Sequence, residues 1–261
     1  MRRRDFLIKT GTFLAGTFLG LNHFSKAHAS AANAKGPCFS YPNIALIIDD
    51  IGFSASRARE FLDLGVPITY SVLPRLPRSL DLALEIHEMG HEVMLHQPME
   101  PYDTNIDPGP GALYVEYDTH RIAGIVEENL EIIPNIHGVN NHMGSRFTEY
   151  ERKMRTVLGI LKDRGLFFVD SLTSSHSAAF RTARALNMNA ARRNIFLDNQ
   201  VEEDAILRQL HRLKKIALRY GCAVGIGHPF PQTAKAIDRF LKTLEASGIS
   251  LAYMSNLICS A

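Results

Sequence analysis

The chain has 261 residues, 46% of them hydrophobic and 21% charged, with a formal net charge of +2; this composition excludes a disordered or fibrous chain and suits one large α/β domain with a full core. Its surplus positive charge sits in residues 1–29, where Arg2, Arg3, Arg4, Lys9 and Lys26 face one acid, Asp5, so the remainder is slightly acidic and no basic block points to nucleic acid. Three cysteines, Cys38, Cys222 and Cys259, with no CxxC spacing exclude a disulfide framework and a cysteine zinc site, while one bridge of unassigned pairing stays open.

The chain starts with a layout expected of an export signal. Residues 2–9 are basic, a mildly apolar stretch runs from Thr10 to Leu21, and Ala27-His28-Ala29 forms a small-x-small cleavage site. The apolar part is too short to span a membrane. Arg3-Arg4 followed by Asp5-Phe6-Leu7 resembles a bacterial twin-arginine signal, with Arg2 where Ser or Thr is usual. The expected organisation is a signal at 1–29, a linker at 30–42 and one domain at 43–261, exported to the periplasm, with no membrane span after cleavage.

From Asn43 onward, short apolar runs alternate with helix-period segments. Strands are expected at 44–48, 68–72, 91–95, 137–142, 166–170, 189–193, 222–227 and 249–253. Helices are expected at 54–64, 78–89, 119–132, 148–164, 202–220 and 233–247, most of them ending at a glycine. A further helix opens near His176. This rhythm implies parallel α/β: a distorted (β/α) barrel of seven or eight parallel strands, with an open doubly wound sheet as the alternative. Asp-Ile-Gly-Phe after the first strand is not GxGxxG, which disfavours a dinucleotide fold. The rhythm breaks between Pro98 and Tyr117, a proline- and glycine-rich connection of a length that is usually functional.

The chemistry gathers where strands end. The first strand, Ile44 to Ile48, runs into Asp49-Asp50. Adjacent carboxylates repel unless a cation, a shared proton or solvent offsets them, and capping the helix near Ser54 would occupy only one. The third strand ends in His96, the fourth in Asn140-Asn141-His142, the fifth in Asp170-Ser171, the sixth in Arg192-Arg193, and the seventh in His228. In a parallel barrel those ends share one rim. An Asp with two or three His is a ligand set for a divalent metal, zinc foremost, with a position left open for water. His23 and His28 lie in the signal, His87, His120 and His211 in helices, and His91 and His137 at strand starts, so His96, His142 and His228 are the chemical candidates.

These residues resemble the NodB-type polysaccharide deacetylases, through Asp49-Asp50 and through Gly90-His91-Glu92-Val93-Met94-Leu95-His96. A divergent polysaccharide deacetylase branch is closer still. It is matched by Ile-Asp-Asp-Ile-Gly, His96-Gln97-Pro98-Met99-Glu100-Pro101, Asn140-Asn141-His142-Met143-Gly144-Ser145, Val169-Asp170-Ser171 and Gly227-His228-Pro229. The resemblance, over residues 43–258, implies metal-dependent removal of N- or O-linked acetyl groups from an envelope glycan or peptidoglycan-type substrate. It places the base on Asp49, the acid on His228, and metal ligation on Asp50 and His96. Glu100 stands where the family's second metal histidine is usual, and Asn140 to Ser145 replaces an arginine–proline motif. That leaves His142 to supply the second imidazole, with Glu100 as a further ligand or supporting group. Asn141, Asp170, Ser171 and Arg193 are expected to support the site or touch substrate; Asp170 would orient a histidine. The alternative is a non-catalytic periplasmic glycan-binding or envelope-assembly protein on the same barrel.

Overall fold

The structure, a computed structural model, describes residues 41–244 and 247–258. The expected signal, most of the linker, Cys38 and Cys259 lie outside the described residues. Described elements run β1 (Asn43–Ile51), α1 (Ala55–Leu62), β2 (Thr69–Val72), α2 (Ser79–Glu88), β3 (Glu92–Met99), α3 (Thr119–Ile132), β4 (Ile136–Met143), α4 (Glu151–Asp163), β5 (Phe167–Asp170) and α5 (Ala179–Ala185). They continue with β6 (Ala190–Arg192), β7 (Ile195–Phe196), α6 (Glu203–Tyr220), β8 (Cys222–Gly227), α7 (Pro231–Leu241), β9 (Ser250–Leu251) and α8 (Met254–Leu257).

Every strand pairing is parallel, in the order β6-β5-β4-β3-β2-β1-β8-β7, with β9 against the first two residues of β1. The two ends of this path are adjacent in sequence. Arg193 N donates to Asp170 O on one side, and Asn194 N donates to Val224 O on the other. Three residues, from Arg192 to Ile195, reach at most ~11 Å. The sheet therefore curls round until its edges meet at a seam, which selects the barrel over the doubly wound sheet. The strand expected at 189–193 is β6, only three residues long, and β7, just beyond it on the other side of the seam, is not among those expected. The one expected at 249–253 shrinks to two residues.

β1 shows how the core is built. Ile44, Leu46 and Ile48 pack outward with residues of the surrounding helices. Ala45 and Ile47 pack inward with Met94, Phe167, Val169, Val224 and Ile226, and α8 covers this inner cluster through Met254 and Leu257. Both faces are buried, so the run carries no polar alternation. Each full burial of such a side chain contributes ~1.5–3 kcal/mol. Local caps match the sequence: Ser54 Oγ accepts from Arg57 N at the start of α1, and Asp118 Oδ1 from Arg121 N at the start of α3. With Ser54 as the cap, neither carboxylate of the acid pair is used that way.

Candidate metal centre

Strand parity delivers the first group of side chains. Asp49 follows Ala45 and Ile47 onto the inner face and is 2% exposed. His96 follows Met94 in the same way, and His142 shares the phase of Gly138 and Asn140. Asp50 should point outward by parity. Instead its φ is 57°, and the β1–β2 register slips between Ile48 and Ile51. This left-handed bulge turns the second carboxylate back to the rim; Asp tolerates such a φ better than most residues.

Three donor atoms then converge. Asp50 Oδ1 lies 2.9 Å from His142 Nδ1 and 3.2 Å from His96 Nε2, and the two nitrogens are 3.1 Å apart. Ligands at ~2.0–2.1 Å from a tetrahedral ion sit roughly 3.3 Å from one another, so the triangle is close to the size a small divalent ion needs. Asp50 Oδ1 is also buried without a hydrogen-bond donor, despite its two close nitrogens. A carboxylate oxygen and two imidazole nitrogens aimed at a common point fit a cation.

The tautomer of His96 follows from its neighbours. Asn140 Nδ2 donates to Asp49 Oδ1 at 2.8 Å. A carboxylate only accepts, so the Asn140 oxygen must face the other way. That oxygen is 2.7 Å from His96 Nδ1 and also accepts from Ser71 Oγ. In the neutral ring His96 Nδ1 therefore carries the proton, and Nε2 is the nitrogen that faces the centre.

The electrostatics separate the two acids. Burial pushes the Asp49 carboxyl up, only partly offset by His96 and His228. Burial also opposes ionisation of Asp50, but His142 and His96 outweigh it and hold that carboxyl well below the usual range. Asp49 Oδ2 is 3.6 Å from His96 Nε2, beside the triangle but not part of it. Asp50 thus suits a permanent anion, and Asp49 a group that takes and gives a proton.

His228 follows the end of β8. Asp198 holds it twice, accepting from its backbone N at 2.6 Å and facing Nδ1 at 2.8 Å; Thr233 Oγ1 donates to the same carboxylate. Phe196 stacks against the ring at 6.0 Å. Burial disfavours the imidazolium, but Asp198 outweighs it, with help from Asp49 and Asp50, and the pKa rises to about 9.

Other expected residues serve the frame. Glu100 is not in the donor triangle; it accepts from Arg146 Nη1 at 2.6 Å and from Val115 N at 2.7 Å. Asp170 orients no histidine: it bonds Leu172 N, Ser177 Oγ and Phe180 N and so shapes the approach to α5. Its phase on β5 is that of outward Phe168. Asn141 accepts from Ser171 N and donates to Met143 O. Ser171 Oγ is buried at the rim without a partner. Arg193 donates to Ser171 O and Leu172 O and lies over the Phe196 ring at 3.7 Å.

Two residues escaped the sequence reading. Asn140 was seen only as part of a motif, and Asp198 not at all. Asp198 ends a short apolar run, Ile195-Phe196-Leu197, in the same pattern of apolar run and acid that marks Asp49 and Asp170. The two-residue length of β7 hid it.

A curled parallel barrel with acids and histidines at the C-terminal ends of its strands defines a deacetylase-like protein. The chain belongs to the divergent polysaccharide deacetylase family, whose model matches residues 46–258. It is 31% identical over 215 residues to the uncharacterised protein YibQ of Escherichia coli, covering 82% of this chain and 67% of that protein. The crystal structure of the uncharacterised protein ATU2773 from Agrobacterium tumefaciens superposes with a TM-score of 0.80 at 25% identity, covering 85% of this chain and 93% of the other. The catalytic domain of a peptidoglycan N-acetylglucosamine deacetylase from Eubacterium rectale shares the fold, with a TM-score of 0.55 at 13% identity over 86% of this chain and 93% of that domain.

Proposed function

We propose that this protein is an exported, metal-dependent hydrolase that removes acyl groups, acetyl in the simplest case, from an amino or hydroxyl group of an envelope glycan. The observation that carries this is the buried, donorless Asp50 Oδ1 between two imidazole nitrogens, with the pKa-raised Asp49 next to it. Asp50, His96 and His142 would hold the ion, zinc by its preference for mixed nitrogen and oxygen donors. A bound divalent ion supplies Lewis acidity to a carbonyl oxygen and lowers the pKa of water from 15.7 towards ~7.

The chain's own groups do the proton work. Asp49 takes a proton from the attacking water, and Asn140 keeps its carboxylate oriented. His228, held protonated by Asp198, gives a proton to the departing amine or alcohol. Water oxygen bonds to the acyl carbon, the C–N or C–O bond breaks, and a carboxylic acid and a free amine or hydroxyl leave. Among the described residues no helix is long and apolar enough to cross a membrane.

A non-catalytic glycan-binding protein is the second reading. The specific feature in its favour is Glu100, which stands where the family's second metal histidine is usual and whose carboxylate is committed to Arg146 and Val115. Acetate release from acetylated chito-oligomers and peptidoglycan fragments, with zinc-loaded and chelator-stripped protein, separates the two. Release that depends on the metal supports the hydrolase. Purified protein that takes up no divalent metal by elemental analysis overturns it.

A further inference from the structure

Two clefts meet at the candidate centre, and they differ in chemistry. One, of about 390 Å3, is walled by Phe53, Leu73, Leu76, Pro108, Pro110 and Met143, with Asp50 and His142 at its inner end. Its polar groups are those two and Asp107. The other, of about 220 Å3, is formed by Ser54, Arg57, His228 and Phe230, and shares Asp50 and Phe53 with the first. Phe53 stands between them as a 67% exposed phenyl ring. Its ring gives both clefts an apolar edge on which part of a ligand can pack.

The general acid must lie on the side of the leaving group. His228 lines the smaller cleft, with Arg57 and Ser54 as polar company for a sugar. Asp50 and His142, which would hold the ion, line the larger cleft, so with the leaving group on the His228 side the rest of the acyl group would extend into it. An acetyl group fills only two or three water-sized volumes of ~30 Å3 each, a small part of 390 Å3. The remaining walls are proline, leucine, methionine and phenylalanine, which hydrate poorly and offer a sugar few hydrogen bonds.

This cleft is built in advance. Its outer wall is the proline-rich connection between β3 and α3, pinned by a buried amide network. Gln97 Nε2 and Asn129 Nδ2 both donate to Gly111 O, and Asn129 Nδ2 also donates to Gln97 Oε1. Arg75 Nε donates to Asn129 Oδ1 in turn. Gly111 has φ 77°, and a Cβ there would meet Asn129 Oδ1 at 2.5 Å, so the connection reaches this network only with glycine. A wall fixed this way favours a complementary apolar group without an ordering cost.

Resting on the hydrolase reading above, we infer that the substrate carries an acyl chain longer than acetyl, seated between Phe53 and Pro110, with the glycan leaving through the His228 cleft. The reaction is the same hydrolysis: water adds to the acyl carbon, the amide or ester bond breaks, and the products are a fatty carboxylate and an amino sugar or alcohol.

The test is a chain-length series of N-acyl and O-acyl glucosamines, from acetyl through butyryl and hexanoyl to octanoyl, with zinc-loaded protein. The expected result is a rise in kcat/KM of about fourfold for each methylene from acetyl to hexanoyl. Pro110→Arg, at an exposed wall position, should flatten that slope. A second measurement needs no turnover. Hexanamide added to the metal-free protein should shift the methyl resonances of Leu73, Leu76 and Met143, whereas acetamide at the same concentration should not. A rate that is highest for acetyl and falls with length, or hexanamide leaving those methyls unmoved, overturns the acyl-chain inference and leaves the hydrolase standing. Absence of metal-dependent turnover at every length, with hexanamide still bound at those methyls, overturns the hydrolase instead.

Discussion

Asn140 and Asp49 are joined by one hydrogen bond, Nδ2 to Oδ1 at 2.8 Å, and that bond decides which nitrogen of His96 is free. The amide relays the sign of a carboxylate across the barrel. Its nitrogen is committed to Asp49, its oxygen receives His96 Nδ1–H, and Nε2 is left for the centre. Asn140→Ala removes the relay and leaves Ser71 Oγ and His96 Nδ1 short of an acceptor. Zinc affinity, measured by competition with a chromophoric chelator, should fall 10–100-fold, and stability by about 1–3 kcal/mol. Unchanged affinity would show that the ring is oriented without Asn140.

The two acids of the pair should separate by experiment. Asp50→Ala and His142→Ala each remove a donor of the triangle. In the parent protein, zinc at 100 times its dissociation constant should add ~2.7 kcal/mol of stability, and both variants should lose that increment in a thermal melt. Asp49→Asn should behave differently. Its amide oxygen still accepts from Asn140, so the His96 tautomer and the zinc increment survive. Turnover should fall 10²- to 10⁴-fold through loss of the base. If Asp49→Asn also abolishes the zinc increment, Asp49 is a ligand and the division of labour is wrong.

His228 should be a strong base in the metal-free protein. Its pKa is raised from 6.5 to about 9, burial opposing and Asp198 prevailing. A pKa raised on folding stabilises the folded state below about pH 6.5 and loses that contribution as pH climbs through about 9. A nitrogen-15 NMR titration of His228 should therefore find the imidazolium at neutral pH, with stability declining on the alkaline side. Asp198→Asn should lower the pKa, because burial is then opposed only by Asp49 and Asp50. A His228 that titrates near 6.5 in the parent protein would remove the reason to assign it the acid.

How far the sequence carries this site depends on which residues announce themselves. Ile44 to Ile48 running into two acids is legible because no solvated strand is apolar on both faces. His96, His142 and His228 are legible because strand ends align once the alternation is read. The bulge at Asp50 is not, since a positive φ at a non-glycine residue leaves no compositional trace. Asp198 is hidden by a two-residue strand, and Asn140 by the ordinary chemistry of an amide, whose orientation depends on partners 44 and 91 residues away. Glu100 misleads in the opposite direction. Its place in the motif suggests the metal, while its carboxylate turns to the loop after β3.

Glu100 therefore offers a test of site against scaffold. One oxygen accepts from Arg146 on the connection after β4, the other from Val115 N on the connection between β3 and α3. Its backbone belongs to the same knot, donating to Leu113 O and accepting from Arg146 N and Phe147 N. Glu100→Ala keeps the backbone bonds but leaves Val115 N–H without its acceptor and Arg146 without its partner. The expected cost is about 1–3 kcal/mol, seen as a drop of several degrees in Tm at ~2–4 °C per kcal/mol for a domain of this size. Zinc affinity should stay within about twofold, because the donor triangle lies on β1, β3 and β4 and draws nothing from this carboxylate. A variant that melts like the parent but binds zinc tenfold more weakly would move Glu100 from the frame to the metal.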